Sequence, residues 1–161
     1  MQVKCNLETV EQTEILGKEL AIVLEPPLLI GFSGEIGRGK TCLIRAMLKT
    51  LGVQSAIKSP TFNLVETYQT DKGAIHHFDL YRLTSVFDLE DLGFRDYLNT
   101  GCICCIEWPE NAPMILPLLD LVVKLDLQTD KDGRIVTLQS QTHRGEQVIL
   151  NLLGKTCLNL V

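Results

Sequence analysis

Residues 28–41 read LLIGFSGEIGRGKT, and the order of events within them decides the fold. Leu28, Leu29, Ile30, Gly31 and Phe32 form a short apolar run without alternation, the pattern of a central strand covered on both faces. Gly34, four residues, then Gly39, Lys40 and Thr41 match GxxxxGK[ST], the spelling of a phosphate-binding loop. Residues 41–51 then place Leu43, Ile44, Met47, Leu48 and Leu51 at helical spacing, with Gly52 where a left-handed C-cap belongs. Strand, glycine-rich turn and helix in this order are the context the motif requires. The glycines let the backbone curl until its N–H groups point inward at phosphates, and the helix dipole adds positive potential. Lys40 is placed to reach the β- and γ-phosphates, and the Thr41 hydroxyl to bind magnesium. The candidate nucleotide contacts are Gly34, Glu35, Ile36, Gly37, Arg38, Gly39, Lys40, Thr41 and Cys42. Arg38 has three options that sequence does not separate: solvent, Glu35 or a phosphate.

Upstream of the loop, Thr9 and Gln12 fit a capping box, and Val10, Leu16, Leu20, Val23 and Leu24 predict a helix over residues 9–24, ended by Pro26 and Pro27. Downstream, residues 62–70 and 74–80 flank Asp71, Lys72 and Gly73 as a hairpin. Residues 86–98 predict two short helices broken at Gly93. The run CICCI is a buried strand ending in Glu107. Residues 119–127 and 135–139 form a second hairpin around the turn TDKDG, and residues 146–153 a last helix. Strands alternating with helices predict an α/β fold, a P-loop NTPase-type sandwich with a mixed central sheet flanked by helices.

A chain of 161 residues fits one domain, residues 1–161, since domains commonly run to roughly 100–200 residues. Hydrophobic residues at 45% and charged residues at 22% suit a folded globular protein. No apolar run reaches the ~18 residues of a membrane span, and the N-terminus lacks a signal-peptide stretch, so a cytoplasmic protein is expected. A net charge of -5 supplies no overall basic field, so contact with nucleic acid is expected to run through a partner. Cysteines 5, 42, 102, 104, 105 and 157 are irregularly spaced in mostly apolar segments, as reduced, packed thiols are. Cys102 and Cys105 spell CxxC, but on a strand they point to opposite faces.

A P-loop ATPase also needs an acid at the end of a neighbouring buried strand to hold magnesium. Glu107, at the end of CICCI, and Asp79, at the end of AIHHF, both qualify. A solvated strand end for Glu107 and a structural salt bridge to Arg82 for Asp79 are the bland alternatives. His76 and His77 face opposite sides of their strand, one expected packed and the other exposed. Thr129-Asp130-Lys131-Asp132 has the wrong order for a guanine-reading segment, which favours ATP over GTP. Trp108 either stacks near the nucleotide or packs as an ordinary tryptophan.

Four blocks in this order, the loop, Ser59-Pro60-Thr61-Phe62, His77-Phe78-Asp79-Leu80-Tyr81-Arg82 and Ile106-Glu107-Trp108, strongly resemble the TsaE family, also called YjeE, over residues 9–126. The resemblance implies an ATPase required for threonylcarbamoyladenosine formation in tRNA. It implies Thr41 and Glu107 as magnesium ligands and Asp79 as a catalytic or metal-positioning acid. It further implies Thr61 as a switch residue near the γ-phosphate, Lys40 as the phosphate-binding lysine of catalysis, and Trp108 beside the nucleotide. The implied partners are the TsaD and TsaB proteins, which transfer the threonylcarbamoyl group to adenosine 37 of tRNAs reading ANN codons. Arg38, Glu35 and the cysteine-rich strand depart from the family pattern. Residues 141–161 match no motif. Two other readings share the loop: a small-molecule kinase, for which no lid segment is found, and a nucleotide-gated binding module without essential turnover.

Overall fold

In a computed structural model of the chain, which describes residues 1–128 and 133–155, a seven-stranded sheet runs β1-β7-β6-β2-β5-β4-β3. In chain order the elements are β1 (Gln2–Leu7), α1 (Val10–Val23), β2 (Leu28–Ser33), α2 (Lys40–Thr50), β3 (Val65–Thr70), β4 (Gly73–Asp79), α3 (Val86–Asp91), α4 (Phe94–Leu98) and β5 (Ile103–Glu107). Two 3-10 turns (Pro109–Asn111 and Pro113–Leu118), β6 (Leu121–Leu127), β7 (Arg134–Ser140) and α5 (His143–Leu153) complete it. The four inner strands, β6, β2, β5 and β4, are parallel; β3 and β7 flank them antiparallel, and β1 pairs antiparallel with β7 at the edge. The sheet is therefore mixed, and β2 lies near its centre, as its unbroken apolar run predicts.

Each face of the sheet has its own apolar layer. Leu16 and Leu20 of α1, Ile44 and Met47 of α2 and Ile149 of α5 pack with Ile30, Phe32 and Cys105 on one side. Phe94 of α4, Leu89 of α3 and Ile115 of the second 3-10 turn pack with Phe78, Cys104 and Ile106 on the other. The alternation along ICCIE thus sends Cys104 and Cys105 to opposite layers. Burial pushes the Cys104 thiol up to about 12 and raises Cys105 as well, so both stay protonated.

Local chemistry sets the boundaries. The Thr9 hydroxyl accepts from Gln12 N–H at 3.2 Å, while the Gln12 side chain reaches back to Glu8 N–H. After α2, Gly52 adopts φ 92, and Val53 N–H reaches the Leu48 carbonyl at 3.1 Å, closing the expected left-handed cap. Gly93, at φ 71, separates α3 from α4.

Four expectations of the fold need correction. The strand expected over residues 62–70 begins only at Val65, after a turn over residues 61–63. Gln2–Leu7 is a strand that the sequence reading left out; its buried Val3, Cys5 and Leu7 alternate as an edge strand does, but its partner β7 lies at the other end of the chain. Helix α5 begins at His143, not residue 146, because the Thr142 hydroxyl caps Gly145 N–H at 3.4 Å. Leu119 and Asp120 precede β6 instead of belonging to it, since the Asp120 carboxylate takes Leu29 N–H and the Thr142 hydroxyl. The turn TDKDG, apart from its glycine, and Cys157 fall outside the described residues. Among the described residues no helix is long and apolar enough to cross a membrane.

Candidate functional site

The loop closes where β2 ends. Gly34, Gly37 and Gly39 all have positive φ, at 131, 77 and 105 degrees, and Gly39 caps α2 without a side-chain hydrogen bond. Gly34 is required on two counts: its backbone is left-handed, and a Cβ there would come within 2.3 Å of the Leu125 carbonyl on β6. The first N–H groups of α2 consequently open into the cleft without a competing side-chain acceptor.

Parallel pairing brings the acids to this point. Asp79 on β4 pairs with Glu107 on β5, and Glu107 pairs with Phe32 on β2, so three strand ends stand at one level. Side chains at i and i+2 share a face, which puts His77, Asp79 and Glu107 together on the side of α2. Asp79 and Glu107 border a cleft of about 540 Å³, which Lys40, Thr41, Thr61 and Trp108 also line, while His77 lies beneath them.

Within the cleft the contacts divide into three groups. The Thr41 hydroxyl donates to both Glu107 oxygens, at 2.9 and 3.1 Å, and His77 Nε2 lies 2.8 Å from Glu107 Oε1. The Asp79 carboxylate accepts from the hydroxyls of Ser59 and Thr61, the latter at 3.0 Å, and from Tyr81 N–H at 3.0 Å. Lys40, only 5% exposed, donates to the carbonyls of Gly34 at 2.5 Å and Glu35 at 3.0 Å, and its Nζ stands 3.9 Å from the Trp108 ring centre. Burial pulls the Lys40 ammonium below the usual lysine value, while Glu107, Glu110 and Asp79 work in the opposite direction.

Several open choices are closed here. Arg38 pairs with Glu35 across the outside of the loop. Arg82 lies over the Phe62 ring, 4.4 Å from its centre, so the salt-bridge alternative for Asp79 gives way to the hydroxyl and backbone donors just described. Trp108 is half-buried beside Lys40 and Tyr81, its φ of 59 a conformation uncommon for a bulky residue. Glu107 is 3% exposed, which removes the solvated strand end. The division of the two histidines into packed and exposed is wrong, since both are buried: His76 sits at 6% against Tyr97, and His77 at 0% against Glu107. A strand covered on both faces leaves neither side open. Ile36, 72% exposed, and the half-buried Cys42 both line the cleft.

Sequence reasoning gave no role to His77, Ser59 or Arg134. Arg134, on β7, donates from Nε to the Arg38 carbonyl at 2.8 Å and so braces the loop from a distant part of the chain, for which no local motif exists. Ser59 appeared only as a letter within a longer block, and His77 only as one of two histidines on opposite faces of a strand.

The donor set suits a nucleotide with a hard divalent cation. Amides and an ammonium face one region, and a hydroxyl and a carboxylate oxygen meet beside it, the oxygen ligands magnesium prefers.

The family model described as "Threonylcarbamoyl adenosine biosynthesis protein TsaE" matches residues 7–136. The tRNA threonylcarbamoyladenosine biosynthesis protein TsaE of Haemophilus influenzae is 43% identical over 138 residues, covering 83% of this chain and 86% of that protein. Its Aquifex aeolicus counterpart is 40% identical over 131 residues, covering 80% and 90%. Among solved structures, Bacillus subtilis YdiB superposes with a TM-score of 0.80 at 24% identity, covering 96% of this chain and 95% of that one, which shows a shared fold. With the family's pattern matched over most of its length, the chain belongs to the TsaE family of threonylcarbamoyl adenosine biosynthesis proteins.

Proposed function

We propose that residues 1–161 form one P-loop ATPase domain that binds and hydrolyses MgATP in the cytoplasm. It serves threonylcarbamoyladenosine formation on tRNA together with the TsaB and TsaD proteins, and meets tRNA through that complex. The names of its relatives support the pathway. The observation that carries the chemistry is the Thr41 hydroxyl 2.9 Å from Glu107, on the first turn of α2 directly after the glycine loop.

In this reading the amides around Gly37 and Gly39 cradle the phosphates, and Lys40 leaves the Gly34 and Glu35 carbonyls for the β- and γ-phosphates. Thr41 and Glu107 hold magnesium. When bound there, the ion would supply positive charge to the phosphoryl oxygens. Asp79 orients the attacking water and receives its proton, and Thr61, hydrogen-bonded to Asp79, positions the γ-phosphate end. Trp108 shields the same region beside Lys40. Water attacks the γ-phosphorus, the bond to the β-γ bridging oxygen breaks, and ADP and phosphate leave.

Turnover is expected to be slow alone and faster with TsaB and TsaD, measured as phosphate release. An Asp79→Asn protein should bind nucleotide as the parent does and lose roughly 10²–10⁴ in turnover, the usual worth of a general base. It should also fail to support tRNA modification. One observation favours a second reading: Ser59 and Thr61 are tied to Asp79, so nucleotide could order this segment as a docking surface. Full tRNA modification by the Asp79→Asn protein would select that gating role over hydrolysis.

A further inference from the structure

We infer that His77 is the positioning residue that aims the Glu107 carboxylate at magnesium, an inference that rests on the reading of Glu107 as a metal ligand. His77 is fully buried on β4, paired in register with Cys105 and so two residues from the level of Glu107 on the same face. Its Nε2 lies 2.8 Å from Glu107 Oε1, the same oxygen that the Thr41 hydroxyl approaches at 2.9 Å.

The pattern of hydrogen bonds explains why an imidazole stands there. Glu107 accepts from Thr41, so its remaining need is a second donor, and Nε2–H supplies it. Nε2 carries the proton of that bond, which leaves Nδ1 as the second polar atom of the ring. Nδ1 is buried and finds no partner among the described residues. An unpartnered buried nitrogen is a cost that a residue chosen for packing alone would avoid, because an apolar side chain would fill the same volume without it. The hydrogen bond from Nε2 to Glu107 offsets that cost.

What Nε2 does is hold one carboxylate oxygen from the side away from the cleft. Thr41 cannot serve as that anchor, because in the proposed site its own oxygen turns to the cation. His77 is the contact on Glu107 that does not depend on the metal. Ligand-orienting partners of this kind typically change metal affinity by about 10–100-fold when removed.

The experiment measures the dissociation constant of ADP by calorimetry with magnesium and with EDTA, for the parent, His77→Leu, His77→Met and His77→Gln. Leucine and methionine fill the site without a donor. Glutamine returns an N–H close to the position of Nε2. Thermal melts of all four proteins run alongside. For leucine and methionine the magnesium-linked gain in affinity should fall about 10-fold or more, with the EDTA value unchanged and a cooperative melt retained. Glutamine should retain most of the gain. A parental gain in folded leucine or methionine proteins overturns the inference alone. So does an equal loss in all three variants, which would mark a packing role. A parent that binds ADP equally with magnesium and with EDTA overturns the metal reading of Glu107 and the inference with it.

Discussion

At the scale of single residues, the site is a set of charged or hydrogen-bonding groups that the fold has removed from water and then paired. Lys40 shows the logic most directly. Its ammonium is buried, held by two loop carbonyls and one aromatic face, all of which are weak competitors for a polyphosphate. Hydrogen bonds to charged groups contribute about 1.5–3 kcal/mol, so Lys40→Ala should weaken ATP binding by roughly 10–100-fold, read by equilibrium titration. The variant should keep its fold, because the apolar layer beneath α2 is made by Leu43, Ile44 and Met47. A Lys40→Ala protein that holds ATP as tightly as the parent would sink the nucleotide assignment.

At the scale of elements, α1 and α2 show packing overruling propensity. Gly17 sits inside α1, where helix propensity alone favours alanine by about 1 kcal/mol. A Cβ at Gly17, however, would stand 2.7 Å from both the Ala46 Cβ and the Leu43 carbonyl of α2. Neither can move away cheaply, one being a methyl in a packed seam and the other backbone. Overpacking of this kind costs about 1–3 kcal/mol, which exceeds the propensity gain. Gly17→Ala should therefore lower the urea midpoint with an unchanged slope, and a raised midpoint would show that the two helices separate easily. Because α2 begins at Lys40, the same change should also weaken nucleotide binding.

At the scale of the whole molecule, His76 links stability to pH on the sheet face away from the cleft. It hydrogen-bonds to Thr67 at 2.9 Å and meets the Tyr97 ring edge-on, and burial alone pulls its imidazole below the ordinary 6.5. The unfolded chain then binds more protons than the folded one below that value. This contribution to stability is complete above pH 6.5 and is lost as pH falls from there through the lowered folded value. Thermal melts from pH 7.5 to 5.5 should show a decline that His76→Asn, which can keep the bond to Thr67, flattens. An unchanged slope in that variant would assign the acid sensitivity elsewhere. Much of this architecture was legible beforehand: the apolar run of β2, the glycine loop, the cap at Gly52 and the break at Gly93 are local patterns, written in consecutive residues. β1 was missed because an edge strand is defined by its partner, and that partner lies more than 120 residues away. The same distinction governs the site. Glu107 and Asp79 could be named from strands that end in acids, and Lys40 and Thr41 from their spacing, because each signal is contained within its own segment. The burial of both histidines, the bracing of Arg38 by Arg134 and the meeting of His77 with Glu107 depend on which strands lie side by side. Sequence determined which chemical groups the chain carries and on which elements. Strand order and register alone decided which of them touch, since hydrogen-bond pairing between distant segments fixes distances that no local pattern encodes.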